Sequence, residues 1–305
     1  MTDKYAVIGN PISHSKSPQI HKMFAEQTGQ DISYEAILAP LDGFAATVER
    51  LRREGYKGCN VTVPFKREAF NIATELSERA REAQAVNTLK FDGDTIFGDN
   101  TDGIGLIRDI TQNLKYNFPG KRVLLMGAGG AADAVAASLS YQPIDKLNID
   151  NRTLEKAQRI ENRTKEIPGR LAKFITSSSS VLSPVPIHLS KNPKLKYEHF
   201  TPEAKTSINH TGSLETYDLL INATSTGLTN EMPPLAAGVF APGALAYDMM
   251  YGRETPFMKF ARANGAAIVA DGLGMLVEQA AESFFIWRGV RPETAPVIAA
   301  LRKQP

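Results

Sequence analysis

The sequence predicts an α/β protein of two domains, each built on a mostly parallel sheet. Over most of its 305 residues, short apolar runs of strand length alternate with longer segments of helical periodicity. The glycine-rich run 127–132 follows one such strand directly and opens a helical segment, which is the setting of a Rossmann-type dinucleotide-binding unit. The chain is long enough for that unit and a second domain beside it.

The N-terminal third of the chain predicts the first domain. Ser17-Pro18 is typical of a helix start, with serine as the N-cap and proline at the first helical position. Apolar runs predict strands, and the periodic segments between them predict helices. The predicted strands are 5–9, 34–38, 58–63 and 85–91, and the predicted helices are 17–28 and 41–54.

A second series of strands begins after a predicted helix at 103–115 and a turn at Pro119-Gly120. Two later helical segments, 274–288 and 292–303, have no sheet left to join, so we expect them to pack back on the first domain. The strands predicted for the second domain are 122–126, 146–150, 173–176, 218–222, 244–248 and 267–269.

These elements predict how the chain divides. We expect residues 1–102, completed by 272–305, to form a substrate domain that carries the catalytic side chains. Residues 103–271 would form the Rossmann domain. Within it, about 177–213 is rich in serine, proline and lysine, which is typical of a long surface insertion without a catalytic role.

Composition and charge exclude several classes of function. The formal net charge is +2 and no long segment is basic, which argues against nucleic-acid or membrane binding. The single cysteine, Cys59, cannot form an intrachain disulfide, so a reducing compartment fits. No signal peptide, bilayer-length apolar stretch or metal-ligand spacing is evident, which predicts a cytoplasmic protein without a metal. Monomer and homodimer both stay open.

The glycine-rich run predicts how a dinucleotide would bind. Gly127 permits the tight turn after the strand, and Gly129 lets the backbone approach a pyrophosphate without a Cβ in the way. The small Ala132 permits close packing of helix on strand. The N–H groups of the helix N-terminus then face the phosphates.

The end of the next strand predicts which nicotinamide cofactor binds. Arg152 and Lys156 can flank a 2′-phosphate, and Thr153 adds a hydroxyl donor. Asp150 favours NAD instead, because an acid about 20 residues after the glycines usually holds the free ribose diol of NAD. The cationic pair favours NADP.

Polar groups at three strand ends of the first domain predict a ligand site, since ligands bind at the carboxyl ends of strands in open α/β sheets. Ser15 and Ser17 precede a helix N-terminus and suit a carboxylate. Lys66 follows a buried strand and a proline, where it can polarise a carbonyl oxygen. Asn87 can bind hydroxyls, and Asp102 can pair with Lys66.

These residues and the motifs around them resemble those of the shikimate dehydrogenase family. The family's motifs occur in its order along nearly the whole chain, and together they are highly specific. They are G-N-P followed by H-S-x-S-P at 9–18, N-V-T-V-P-F-K at 60–66, A-V-N-T at 85–88, G-D-N-T-D-G at 98–103, G-A-G-G-A at 127–131, N-R-T at 151–153, I-N-A-T-S at 221–225, Y-D-M at 247–249 and A-D-G-L-G-M-L-V-x-Q-A at 270–280.

The resemblance implies a role for each matched residue. Lys66 and Asp102 would be the catalytic pair. The residues implied in substrate binding are Ser15, Ser17, Thr62, Asn87, Tyr251 and Gln279. The residues implied in cofactor binding are Glu78, Gly127, Ala128, Gly129, Gly130, Ala131, Asn151, Arg152, Thr153, Lys156, Met249 and Gly272.

The reaction implied is the reversible NADPH-dependent reduction of 3-dehydroshikimate to shikimate, a step of aromatic amino-acid (chorismate) biosynthesis. Two alternatives stay open. One is a quinate/shikimate dehydrogenase that uses NAD, which Asp150 favours. The other is a non-catalytic, dehydrogenase-like metabolite sensor, against which the retention of Lys66 and Asp102 argues.

Three positions depart from the family pattern. Gln84 stands where glycine is common, and Ala132 and Asp133 stand where many members carry serine and arginine. One phosphate contact is expected to be lost, and a carboxylate at Asp133 is unfavourable beside a phosphate.

Overall fold

The structure is a computed structural model, and the ranges that it describes contain both predicted sheets. The predicted insertion at about 177–213 lies, beyond its first residue, outside them. The described residues are 2–167, 169, 173–177, 215–224 and 231–303.

The N-terminal domain is a mixed sheet with helices between its strands. The sheet order is β2-β1-β3-β5-β6-β4, with β1 parallel to β2 and β3, β4 parallel to β6, and β5 antiparallel to both of its neighbours. Its elements are β1 Asp3–Gly9, α1 Ser17–Thr28, β2 Ile32–Leu38, α2 Phe44–Arg53, β3 Tyr56–Val61, α3 Lys66–Ile72, β4 Glu75–Leu76, α4 Glu78–Ala83, β5 Thr88–Asp92 and β6 Thr95–Asp99.

The antiparallel hairpin of β5 and β6 differs from the prediction of one strand at 85–91. The first three residues of that range are not in a strand, and β5 begins only at Thr88. Asp92 pairs with Thr95 across a two-residue turn in which Gly93 adopts a φ of 55°. A Gly-Asp turn between apolar runs is a hairpin signal, so the sequence does contain the missed evidence for β6.

One helical connection joins the two domains, as predicted for 103–115. It begins as α5, Asp102–Arg108, and continues as a π-helical turn, Asp109–Asn113. The Asp109 side chain accepts hydrogen bonds from Asn113 Nδ2 and Tyr247 Oη, at 2.9 and 2.6 Å. These bonds tie the π-helical turn to the sheet of the second domain.

The Rossmann domain is an all-parallel sheet among its described strands, in the order β12-β11-β10-β7-β8-β9. The order reverses at β7, and the crevice at such a reversal is the usual place for a dinucleotide. Its elements are β7 Arg122–Met126, α6 Gly130–Ser140, β8 Lys146–Asp150, α7 Leu154–Lys165, β9 Lys173–Ser177, β10 Tyr217–Asn222, β11 Phe240–Asp248, α8 Pro256–Ala263 and β12 Ile268–Ala270.

The C-terminal helices return to the N-terminal domain, which confirms the prediction. They are α9, Leu273–Arg288, and α10, Ala295–Arg302. Trp287 donates from Nε1 to the carbonyl of Leu89 in β5 at 2.9 Å. A Cβ on Gly58 would lie 2.6 Å from that indole nitrogen, so β3 has a glycine where the tryptophan packs.

The cores lie on the faces of the two sheets and beneath the C-terminal helices. Val123 and Leu125 of β7 pack on one face of the Rossmann sheet, and Leu124 packs on the other. This continuous apolar run is typical of a parallel strand covered on both sides. Ile20 of α1 packs with Val277 of α9 in a separate cluster. None of the described helices is both long enough and apolar enough to cross a membrane.

Candidate active site

A cleft of about 450 Å³ lies between the two domains, at the carboxyl ends of β1 and β3. The sequence placed its candidate substrate and catalytic residues at these strand ends, and the structure brings them together in one cavity. The predicted site residues that line the cleft are Ser15, Ser17, Thr62, Lys66, Asn87, Asp102, Ala131, Met249, Tyr251, Gly272 and Gln279.

The centre of the cleft holds an ion pair between two helix starts. Lys66 is the first residue of α3 and Asp102 is the first residue of α5. Lys66 Nζ lies 2.5 Å from Asp102 Oδ2, and the two side chains are 17% and 9% exposed. Phe65, fully buried before Lys66, anchors the start of α3. The ammonium is therefore held in a largely dehydrated position that still opens on the cavity.

Asn87 contacts Asp102, one of the two candidate catalytic residues. Its Nδ2 donates to Asp102 Oδ1 at 2.8 Å and to Thr101 Oγ1 at 3.0 Å. Its Oδ1 accepts from the backbone N–H of Thr101 at 2.9 Å. The family resemblance assigned Asn87 to the substrate, and the structure adds that it orients the second carboxylate oxygen of Asp102.

A buried polar network lies next to the cleft, and the sequence did not predict it. Asn60, which lines the cleft, accepts from Tyr34 Oη at 2.7 Å and donates to Ser283 Oγ at 3.0 Å. Ser283 also lies 2.7 Å from Thr88 Oγ1. The available signal was weak. Asn60 begins the motif at 60–66, but its partners are far away in sequence.

Ser15 and Ser17 lie at the N-terminus of α1, on the cleft wall. The prediction that Ser17 is the N-cap is wrong, because Lys16 occupies the cap position and Ser17 is the first helical residue. The Ser15 hydroxyl takes the capping part, since it accepts from the backbone N–H of Ser17 at 3.3 Å. Tyr251 also lines the cleft, and burial raises the pKa of its phenol.

The glycine turn has the shape of a phosphate cradle. Gly127 has a φ of 110°, and a Cβ there would lie 2.8 Å from the carbonyl oxygen of Ala223, so the turn requires glycine. A Cβ on Gly129 or Gly130 would meet nothing within 4 Å, which leaves open space at the start of α6. Free N–H groups at a helix N-terminus beside such space suit a pyrophosphate.

The residues expected at the 2′-phosphate form the exposed start of α7. Arg152, Thr153 and Lys156 are all exposed, and Thr153 is the N-cap residue without a side-chain cap bond. Asn151 Nδ2 donates to the carbonyl of Thr153 at 2.8 Å. Asp150 is the last residue of β8, and its carbonyl accepts from the N–H of Gly127 at 2.8 Å. The cations therefore follow the strand that is tied to the glycine turn.

Gly272 packs closely on the residues expected at the nicotinamide. A Cβ on it would lie 2.2 Å from the Met249 carbonyl oxygen, and its N–H donates to the carbonyl of Met250 at 2.9 Å. Glu78 is exposed at the start of α4. Like the candidates at 127–130 and 151–156, it is not among the residues that line the cleft.

The structure also shows where two of the departures from the family pattern lie. Ala132 is buried in the core that packs on the Rossmann sheet. Asp133 is 2% exposed, and its carboxylate lies among arginine side chains. Within the described part of the chain, no group of three or more His, Cys, Asp or Glu side chains could hold a metal ion.

Comparison with known proteins decides the family. Residues 7–89 match the shikimate dehydrogenase substrate binding domain, 109–179 match shikimate/quinate 5-dehydrogenase, and 272–302 match the shikimate 5′-dehydrogenase C-terminal domain. The shikimate dehydrogenase (NADP(+)) of Methylobacillus flagellatus is 53% identical over 98% of this chain and 99% of that protein. The chain belongs to the shikimate dehydrogenase family.

Solved structures of other proteins share the fold over almost the whole chain. An Ael1 enzyme from Pseudomonas putida is 42% identical, with a TM-score of 0.82 over 98% of each chain. The shikimate 5-dehydrogenase of Thermus thermophilus, solved with NADP(H) and shikimate, is 28% identical, with a TM-score of 0.78 over 99% of each chain. The shikimate dehydrogenase fold thus accounts for both sheets and the returning C-terminal helices.

Proposed function

We propose that this chain is an NADP-dependent shikimate dehydrogenase, an oxidoreductase that reversibly reduces 3-dehydroshikimate to shikimate. One observation carries the proposal. The Lys66–Asp102 pair opens on a cleft that is also lined by Ala131, in the first turn of α6 directly after the glycine turn. An ammonium donor and a dinucleotide cradle thus share one cavity, which is the arrangement that carbonyl reduction by a nicotinamide requires.

The cofactor site fits NADP. The cofactor supplies the hydride when bound, and this chain supplies binding and orientation. Open space at Gly129 and Gly130 leaves room for the pyrophosphate. The residues proposed to hold the cofactor are Gly127, Ala128, Gly129, Gly130 and Ala131 at the pyrophosphate, Asn151, Arg152, Thr153 and Lys156 at the 2′-phosphate, Met249 and Gly272 at the nicotinamide, and Glu78 at the edge of the cofactor cleft.

The substrate site fits a small hydroxylated ring that bears a carboxylate. Ser15 and Ser17 offer hydroxyls at the N-terminus of α1, where the helix dipole favours an anion. Tyr251 lines the same cleft, and we propose that it binds the carboxylate with these serines. The residues proposed to bind the ring hydroxyls are Thr62, Asn87 and Gln279.

Lys66 and Asp102 are the proposed catalytic residues. As negative charge grows on the carbonyl oxygen during reduction, Lys66 Nζ stabilises it by a charge-assisted hydrogen bond. Asp102 holds the ammonium in place through Oδ2, and Asn87 fixes the carboxylate through Oδ1. The pair supplies the proton that the product alcohol gains.

The same geometry supports an enzyme over a sensor, because a binding module has no need of a buried ammonium at the reacting position. The names of the relatives support NADP over NAD. We further propose that the protein acts in the cytoplasm on small molecules, as a monomer or homodimer, in aromatic amino-acid (chorismate) biosynthesis.

A kinetic assay of four pairings tests the proposal. NADPH or NADH is combined with 3-dehydroshikimate or 3-dehydroquinate, and cofactor oxidation is followed by absorbance. We expect NADPH with dehydroshikimate to be the preferred pairing, with NADPH favoured by about 10- to 100-fold in kcat/KM, the value of one or two charge-assisted bonds to a phosphate. Comparable rates with NADH would overturn the cofactor assignment. Tight binding without turnover would overturn the enzyme assignment.

The variant Lys66→Ala checks the mechanism in the same assay. It should lower kcat by about 10²-fold or more with little change in KM, since the lost interaction acts on charge that develops during the reaction. Lys22→Ala is the matched control, because the Lys22 side chain is 76% exposed on α1 and does not line the cleft. An unchanged kcat in Lys66→Ala would remove Lys66 from the mechanism.

A further inference from the structure

The helix that carries the phosphate cradle packs directly against the N-terminal domain. α6 begins at Gly130, and its Ala134 is buried in one cluster with Ala83 and Ala85. A Cβ on Gly103 would lie 2.5 Å from the carbonyl oxygen of Ala134. The position of the cradle relative to the catalytic domain is therefore set at this interface between α6 and α4.

A buried carboxylate lies at the cradle end of this interface. Asp133, in the first turn of α6, has a side chain that is only 1% exposed. Arg163 Nη2 donates to its Oδ1, and Arg159 Nη2 lies 3.6 Å from its Oδ2. Both arginines come from α7 of the same domain. A carboxylate buried to this degree requires such partners, because an unpaired buried charge is strongly unfavourable.

The cluster also includes two residues of the N-terminal domain, on the other side of the domain interface. Arg67, the residue after the catalytic lysine, lies 3.8 Å from Asp133 Oδ2. Arg163 donates from Nη1 to Gln84 Oε1 at 3.1 Å. Gln84 ends α4 of the N-terminal domain with a φ of 48°. Two of the three positions that depart from the family pattern, 84 and 133, thus share one arginine, Arg163, that connects the domains.

We propose that Asp133 is a positioning residue, which, with Arg163, Arg67 and Gln84, sets the distance between the cofactor cradle on α6 and the catalytic lysine on α3. The proposal rests on the proposed function, since it concerns hydride transfer between a cofactor on one domain and a substrate on the other. Asp133 touches neither reactant in this role. It acts through the arginines, which hold the two helix starts together.

The consequence follows from the distance dependence of the reaction. Reacting atoms must lie about 3 to 3.5 Å apart, and a displacement of about 1 Å can cost on the order of 10²-fold in rate. Of the residues proposed to bind the substrate, Tyr251 belongs to the Rossmann domain, and the others, such as Ser15 and Ser17, belong to the N-terminal domain with its C-terminal helices. A shift between the domains therefore slows hydride transfer and leaves substrate binding nearly unchanged.

The test uses the full-length variants Asp133→Asn and Asp133→Glu with NADPH and NADPH deuterated at the transferred hydrogen. In Asp133→Asn we expect kcat to fall about tenfold, an intermediate loss on the distance scale above. The deuterium isotope effect on kcat should rise, because hydride transfer becomes slower relative to product release. The KM for dehydroshikimate should change less than about twofold. Asp133→Glu keeps the charge and should recover most of the rate.

Arg67→Met tests the connection across the cleft. If Arg67 and Asp133 act as one unit, the double variant Arg67→Met/Asp133→Asn should be no slower than the worse single variant. Multiplied effects in the double variant would show that the two residues act independently and would overturn the bridging part of the proposal.

Asp218→Asn is the matched control. Asp218 is a half-buried carboxylate in the sheet of the same domain. It is also paired with an arginine, Arg122, at 3.1 Å, but both of these residues lie in the Rossmann domain. A role of Asp133 in stability alone would lower the unfolding temperature of Asp133→Asn and leave its isotope effect at the wild-type value, which would refute positioning. If the wild-type protein does not turn over dehydroshikimate, the proposed function fails instead, so the two failures are distinguishable.

Discussion

The buried side chain of His21 should make the stability of the fold depend on pH. It is fully buried in α1 and stacks on Tyr34 at 4.2 Å between ring centroids, with Trp287 at 5.4 Å. Neither ring nitrogen has a hydrogen-bond partner among the described residues. Burial lowers the pKa of His21 from 6.5 to about 3, because the imidazolium would lose its hydration in the folded protein.

The direction and size of the effect follow from this shift. Below pH 6.5 the unfolded chain binds a proton at His21 that the folded protein does not bind until about pH 3. The folded state is therefore favoured above pH 6.5, and this contribution is lost as the pH falls toward 3. Each pH unit in that window costs about 1.4 kcal/mol, so lowering the pH from 7 to 5 should remove about 2 kcal/mol from the free energy of unfolding.

Urea unfolding followed by circular dichroism at pH 7 and pH 5 measures the loss. The variant His21→Phe keeps the stacked ring and has no titrating group, so its loss should be smaller than that of the wild type by about 2 kcal/mol. His14→Gln replaces an exposed histidine and controls for general effects of histidine removal. Equal losses in the wild type and His21→Phe would refute the assignment of a buried, unprotonated imidazole.

Two further predictions concern the cofactor. Gly272→Ala should lower kcat/KM for NADPH by about tenfold or more. The new Cβ would lie 2.2 Å from the Met249 carbonyl oxygen and must displace Met249, which is proposed to line the nicotinamide site. Steady-state kinetics measures this effect, and a kcat/KM equal to that of the wild type would contradict it. Replacing Arg152 and Lys156 together by alanine should raise the KM for NADPH by about 10- to 100-fold. The KM for NADH should stay nearly unchanged, since NADH has no 2′-phosphate. An equal rise in KM for both cofactors would show that these cations do not bind the 2′-phosphate.

Local signals in the sequence predicted the Rossmann domain closely. Strands 122–126 and 146–150 have the predicted bounds. The first is an apolar run directly before the glycine turn, and in the second Leu147 and Ile149 alternate with polar residues. The first domain was predicted less well. The missed strand β6 belongs to a hairpin inside an otherwise parallel pattern, and the short helices α3 and α4 are too brief to show a helical period.

The candidate site shows the same limit at the level of side chains. Motifs predicted that Lys66 and Asp102 meet, and the structure joins them. No local pattern could show that Asn60 donates to Ser283, because these residues are separated by 223 positions and meet only when α9 returns to the first sheet. Such partners are fixed by tertiary packing, which a single sequence does not reveal.

The helix positions of the proposed catalytic pair also affect its electrostatics. Lys66 is the first residue of α3, where the positive end of the helix dipole disfavours a cation. Asp102 is the first residue of α5, where the dipole favours an anion. The carboxylate is thus stabilised twice, by its own helix and by the ammonium that it faces at 2.5 Å. The Lys66 ammonium is stabilised by Asp102 but not by its own helix. A substrate oxygen that becomes negative can therefore compete with Asp102 for the hydrogen bonds of the ammonium.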